Sequence, residues 1–228
     1  MVVVILIWII LQISFAIPDA IVGDWMSWRQ SDTQTIARNF MKSDSNIFYP
    51  QINWGGTGPG FVECEFQLYT FLIAQVMKIS GESELPGQLL NLLFISLTAF
   101  VIYLSLRLYL KNQIAAMVGA VFFLVSNGPV HLSTAIMPDA LCIMFYTSGL
   151  YTFLKFLDDR KNSLLILFIL FTTLAALIKP LALNLGIIQF FILVFGYRQL
   201  LKSPKIWAAW ITIVAITLSY LLFSNGLF

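Results

Sequence analysis

Charge is what this chain of 228 residues has least of: Lys, Arg, Asp and Glu make up 11%, against 59% hydrophobic residues. Ordinary soluble domains carry roughly 25% charged and 45–50% apolar residues, so that class is excluded. Histidine is nearly absent, and a single residue, His131, cannot build a zinc site by itself. Two cysteines, Cys64 and Cys142, exclude a disulfide framework. No Asn-x-Ser/Thr sequon occurs, so glycosylation gives no clue to sidedness. The net charge of +2 gives no basic excess that nucleic acid would require.

What is present is a series of apolar runs near the ~20 residues a helix needs to cross about 30 Å of hydrocarbon. They lie at 87–106, 113–128, 139–155, 163–179, 181–197 and 206–224, bounded by Pro, Gly or charge clusters. The opening stretch, MVVVILIWIILQISFAIPDAIV, reads as a retained first transmembrane helix. A secretory signal is the alternative, because Ser14-Phe15-Ala16 has a small-x-small pattern, but the charged start is missing. The absence of Lys or Arg before this helix suggests a trimmed N-terminus. The apolar part of LYTFLIAQVMKISGESELPG, from Gln67 to Ile79, is short for a span and suits a surface or re-entrant helix.

If that short segment stays on the surface, the inner loops hold Arg107, Lys111, Lys155, Arg160, Lys161, Arg198, Lys202 and Lys205, eight of the 13 cations. If it spans, the inner side keeps only Lys78 and Lys179. The positive-inside rule selects the first arrangement. The expected fold is an all-α polytopic membrane protein with about seven transmembrane helices and an outward C-terminus. A single transmembrane domain then covers 1–228, with a first outer loop at 23–86 containing surface helices and a second outer loop at 127–139. These loops and the Lys179-Pro180 junction face one surface.

The first outer loop contains the one long polar interval, Gly23 to Phe66. Asp24, Asp32, Asp44, Glu63 and Glu65 lie within it and Asp19 and Glu82 beside it, together seven of the 11 acids. Its Trp25, Trp28, Trp54, Phe48 and Tyr49 suit headgroup depth. SWRQSDTQTIARNF reads as an amphipathic helix from about Ser27 or Ser31, with Ile36, Ala37 and Phe40 on one face. Asp32 near its start is either an ionised, dipole-stabilised carboxylate available for chemistry or a helix cap. The G-G-x-G-x-G run at Gly55–Gly60 is no dinucleotide fingerprint; it is a flexible turn for close backbone approach or a plain linker.

WRQSDTQTIARNF, NIFYPQINWGG, VECEFQLY, MPDA and LIKP, in that order, resemble motifs of bacterial membrane glycosyltransferases of the GT-C superfamily. The nearest likeness is to the branch with the protein O-mannosyltransferases and the aminoarabinose transferase of lipid A. The resemblance implies a polyprenyl-phosphate sugar as donor, and a lipid, glycan or protein as acceptor. It also implies an extracytoplasmic site in a bacterial inner membrane, transfer of a hexosyl or pentosyl unit, and inversion at the sugar carbon. It assigns Asp32 as the catalytic or acceptor-orienting carboxylate, with Asp24 second. Glu65 and Glu63 stand at the second acidic position, Asp139 at the acid of the second outer loop, and Lys179 at the cation meeting the donor phosphate. The family consists of longer chains, so the C-terminal part of its fold is expected to be absent. Gln67 stands where the pattern has proline after Glu-Phe, and Asn53 in a loop that often carries an acid.

These residue types fit the chemistry. Transfer from a lipid phosphate needs a base at the acceptor and positive charge on the departing phosphate, which Arg29, Arg38 and Lys179 can supply. For Lys179 the competing role is snorkelling at a helix end. His131, eight residues before Asp139, is a substrate-binding candidate whose ordinary role would be local hydrogen bonding. Asp32, Glu63, Glu65 and Asp139 are of the type that holds Mg²⁺ or Mn²⁺, and metal dependence stays open. A polyprenyl-lipid flippase and a non-catalytic lipid-binding protein are the alternatives. Transporters place ionisable groups near the bilayer midplane, whereas here the acids crowd into loops.

Overall fold

The computed structural model describes residues 1–15, 26–42, 46–53, 60–62 and 65–225. Ten helices are described: α1 Val2–Phe15, α2 Ser27–Lys42, α3 Leu68–Ser80, α4 Leu85–Leu110, α5 Gln113–Val125, α6 Asn127–Leu132, α7 Asp139–Asp159, α8 Asn162–Ile178, α9 Leu185–Gly196 and α10 Pro204–Asn225. Short 3₁₀ helices at Pro180–Asn184 and Arg198–Lys202 flank α9. Among the described residues there is no strand, only an isolated antiparallel bridge between Gln51 and Phe61. The fold is all-α.

Local chemistry sets the reversals. Lys111 ends α4 at φ 49 in the left-handed region, with its N–H bonded to the Arg107 carbonyl. Asn112 then caps α5, its Oδ1 accepting from the N–H groups of Ile114 at 2.9 Å and Ala115 at 3.1 Å, which satisfies donors no helix can pair internally. Arg160, at φ 55, ends α7 in the same way. Lys179 is extended, at φ −143 and ψ 111, because the ring of Pro180 disfavours helical geometry in the residue before it. That stops α8 and leaves the lysine at the helix end.

α7 packs against α8 and α4, α5 against α4, and α10 against α8. Gly149 permits the α7–α8 approach: a Cβ there would lie 2.6 Å from Thr172 Oγ1. Phe153 and Phe168, both fully buried, meet with ring centroids 5.3 Å apart. The outer faces are apolar, with Ile7, Ile114, Phe122, Ile166, Phe195 and Leu222 all exposed. Lipid tails are as apolar as leucine, so close packing and hydrogen bonds, more than the hydrophobic effect, hold such helices together.

α4, α7 and α10 are long and apolar enough to cross a membrane. The chain is therefore an integral membrane protein. α1, α5, α8 and α9, expected as further spans, have 14, 13, 17 and 12 residues; breaks at Ser126 and Lys179-Pro180 shorten the last three. α3 does not traverse the bundle. Its N-terminal side meets α8, through Phe66 N–H donating to the Leu177 carbonyl at 3.1 Å. Its C-terminal side meets α2, through Gln34 Nε2 donating to the Ser83 carbonyl at 2.7 Å. Tyr69, at the α3 start, donates to the Gly87 carbonyl of α4 at 3.0 Å, and four residues join the α3 end to α4, so both ends of α3 lie by the start of α4. The turns after α4 and α7 and the start of α10 lie at the other end, and with them the eight cations expected on the inner side.

Candidate active site

α2 and α3 run side by side. Arg29 pairs with Glu65 just before α3, and Arg38 and Lys42 both pair with Glu82 beyond it, at 3.0 and 3.1 Å. Between these pairs Ile36 and Phe40 bury against Ala74 and Phe71. The apolar contact fixes the helix pair, since exposed ion pairs contribute only about 0–1 kcal/mol each.

A strap at 133–138 joins this helix pair to the bundle. Buried Gln30, one residue after Arg29, accepts the Ile136 N–H at 2.8 Å. From the opposite side buried Asn91 on α4 donates through Nδ2 to the carbonyls of Ala135 and Met137, the latter at 2.9 Å. Ser133 Oγ donates to Gln12 Oε1 of α1 at 3.2 Å. Three successive backbone positions are thus held by side chains from two helices. The strap delivers Asp139 as the first residue of α7, and there Lys179 Nζ donates to Asp139 Oδ1 at 2.5 Å.

A partly open cleft forms where these elements meet, with about 310 Å³ of empty space including open solvent. Arg29, Asp32, Glu65, Phe66, Tyr69 and Pro138 are among its lining residues. A larger apolar cavity of about 610 Å³ lies between α8, α9 and α10, lined by Thr172, Gln189 and Trp210. None of its lining residues is ionisable, unlike those of the smaller cleft.

The candidates differ in state. Asp32 is half-buried and has no ion pair or hydrogen bond among the described residues. It is the sixth residue of α2, beyond the first turn, where the helix dipole has faded. Both sequence readings of Asp32, dipole-stabilised start and helix cap, are therefore corrected: it is a mid-helix side chain on the cleft wall. Glu65 and Arg29 occupy each other, as do Asp139 and Lys179, so neither cation awaits an anion unaccompanied. Asp139 Oδ2 is buried with no hydrogen-bond partner among the described residues. His131 lies on α6, and neither it, Asp139 nor Lys179 is among the residues lining the cleft; Asp139 directly follows the lining residue Pro138. Asp24 and Glu63 lie outside the described residues. Among those residues no three His, Cys, Asp or Glu side chains gather as a metal site. Of the candidate ligands, Glu65 is paired with Arg29 and Asp139 with Lys179. Cys142 is a free, buried thiol.

Several cleft residues carried no sequence signal. Tyr69 is buried, and burial foremost, then the negative charge of Asp139, raises its hydroxyl well above the ordinary value. It remains a donor, to the Gly87 carbonyl at 3.0 Å, and is no base. Gln67 reinforces the turn where the family pattern has proline: Nε2 donates to the Glu65 carbonyl at 2.7 Å, and Oε1 accepts from Thr70 at 2.8 Å. Phe66 also stacks edge-on against Tyr220 of α10 at 5.5 Å, and Phe48 contacts both Phe66 and Phe223 at 6.0 Å. These rings tie the cleft wall to the last turns of α10.

The family model described as dolichyl-phosphate-mannose-protein mannosyltransferase matches residues 67–223. The chain belongs to that mannosyltransferase family. It is accordingly a membrane glycosyltransferase of the GT-C type. No curated protein and no solved structure matches the chain. The mannosyltransferase match takes in Asp139 and Lys179 but begins after Arg29, Asp32 and Glu65. The latter three are candidates by geometry and by motif resemblance.

Proposed function

We propose that this glycosyltransferase moves a sugar from a polyprenyl-phosphate donor to an acceptor at the extracytoplasmic face of a bacterial inner membrane, with Asp32 as base. The observation that carries this reading is the position of Asp32, without an ion pair or hydrogen bond among the described residues, on the wall of a charged cleft at the end of the bundle remote from eight cations. The positive-inside rule supports assigning that end to the outside, and with it a first outer loop at 23–86 and a second at 127–139 in one transmembrane domain.

In the reaction Asp32 takes the proton of the acceptor hydroxyl or amine as its oxygen or nitrogen bonds to the sugar carbon. The bond from that carbon to the phosphate oxygen breaks, and its electron pair leaves on the phosphate. Arg29 and Lys179 exchange their carboxylate partners for the phosphate oxygens, offsetting the charge that develops there. Glu65 and Asp139, released by this exchange, accept hydrogen bonds from sugar hydroxyls. A single displacement needs one base and inverts the sugar carbon. Lipid, glycan and protein acceptors all present the required nucleophile.

Asp32→Asn keeps shape and removes the base, and positioned bases contribute about 10²–10⁴-fold. Transfer from labelled polyprenyl-phosphate mannose should fall by that factor, with the unfolding temperature in detergent unchanged. Full activity of this variant would defeat the assignment.

A further inference from the structure

At the end opposite the cleft, specific contacts gather five cations. Arg160, at the α7–α8 turn, holds its guanidinium 5.6 Å from the Tyr197 ring centroid. Arg198 and Lys202 follow on the adjoining 3₁₀ helix. Lys205 Nζ donates to Asn162 Oδ1 at 3.0 Å, next to Lys161. All five are exposed. The neighbouring acids are Asp158 and Asp159, and Lys161–Asp159, at 3.8 Å, is the one ion pair there among the described residues. Arg198, Lys202 and Lys205 thus have no carboxylate partner among those residues.

The apolar rim of this cluster is as informative as its charge. Trp207 Nε1 donates to the Leu201 carbonyl at 2.7 Å, which fixes an indole that is 47% exposed beside Lys202. Phe195 is 84% exposed and Phe191 52%. Cations above a band of exposed rings mark the boundary between headgroup and hydrocarbon. A soluble acidic protein would leave those rings uncovered, whereas a lipid satisfies both halves of the surface.

We propose that this surface binds the phosphate headgroup of an anionic phospholipid, with the acyl chains against Phe195 and Trp207. Guanidinium and ammonium groups donate charge-assisted hydrogen bonds to phosphate oxygens, and cytoplasmic juxtamembrane cations attract anionic lipid.

The purified protein in detergent is titrated with phosphatidylglycerol, phosphatidylcholine or inorganic phosphate, and bound lipid is counted by native mass spectrometry. Phosphatidylglycerol should be retained over phosphatidylcholine, the preference should fall as salt is raised, and millimolar phosphate should not compete. At about fivefold per cation near the surface, Arg198→Gln/Lys202→Gln/Lys205→Gln should weaken phosphatidylglycerol retention about a hundredfold. Lys42→Gln/Lys78→Gln, at the other end, should leave it unchanged. Equal retention of the two lipids, salt-independent preference, an unaffected triple variant or full competition by phosphate would each overturn the proposal. The salt arm uses the wild-type protein and so holds even if the triple variant inserts poorly.

Discussion

Asn91 offers a test of the strap in which the more conservative substitution is expected to do more damage. Its Nδ2 donates to two carbonyls, those of Ala135 and Met137, while its own Oδ1 is buried with no partner. Asn91→Leu leaves two buried carbonyls unpaired, at about 1–3 kcal/mol each, but also removes an orphaned acceptor whose burial costs about as much as one of them. The net loss should be about 1–3 kcal/mol. Asn91→Asp keeps the shape, loses the donors and turns carboxylate oxygens toward two carbonyls. An unpaired buried charge costs about 3–5 kcal/mol. A neutral carboxyl can donate one bond, so this deficit should shrink as pH falls and grow as it rises through the titration of the new group. Denaturant unfolding in detergent at several pH values measures both. If Asn91→Asp proves as stable as Asn91→Leu at neutral pH, the strap is not held by donation from Asn91.

Three further outcomes follow from other contacts. Gly149→Val places a side chain against Thr172 and should cost about 1–3 kcal/mol by overpacking, read as a lowered unfolding temperature, whereas Gly128→Ala in open space should not. Lys179→Met strands Asp139, and because the pair is 39% and 22% exposed the loss should be about 1–2 kcal/mol, below that of a fully buried pair. Lys179→Met/Asp139→Leu should regain stability but not transfer activity, and recovery of both would remove the pair from the mechanism. In a Cys64→Ser background, Ser31→Cys should be labelled by an impermeant thiol reagent added outside intact cells and Asn112→Cys should not; the opposite pattern would invert the topology.

Composition and spacing alone determined the all-α membrane class, because a helix that pairs its own backbone is the one way for a non-barrel chain to enter lipid. They also determined several helix ends: Pro180, Lys111-Asn112 and Arg160-Lys161 act on their own backbone, and such effects are local. The segregation of eight cations from the acidic loop was legible for the same reason, since it needs only the order of apolar runs. The surface helix α2 was legible from Ile36, Ala37 and Phe40, which do face the core, and its start at Ser27 is one of the two the sequence offered.

Tertiary structure alone decided which charges are occupied. Arg29 with Glu65 and Lys179 with Asp139 are 36 and 40 residues apart, and no local pattern encodes such pairing. The strap residues Gln30 and Asn91 look in sequence like stray amides, because a hydrogen bond to a distant backbone leaves no periodicity. Asp32 was a candidate from its motif, yet its lack of a partner among the described residues is a property of everything packed around it, and that packing exists only once α2, α3 and the strap have met.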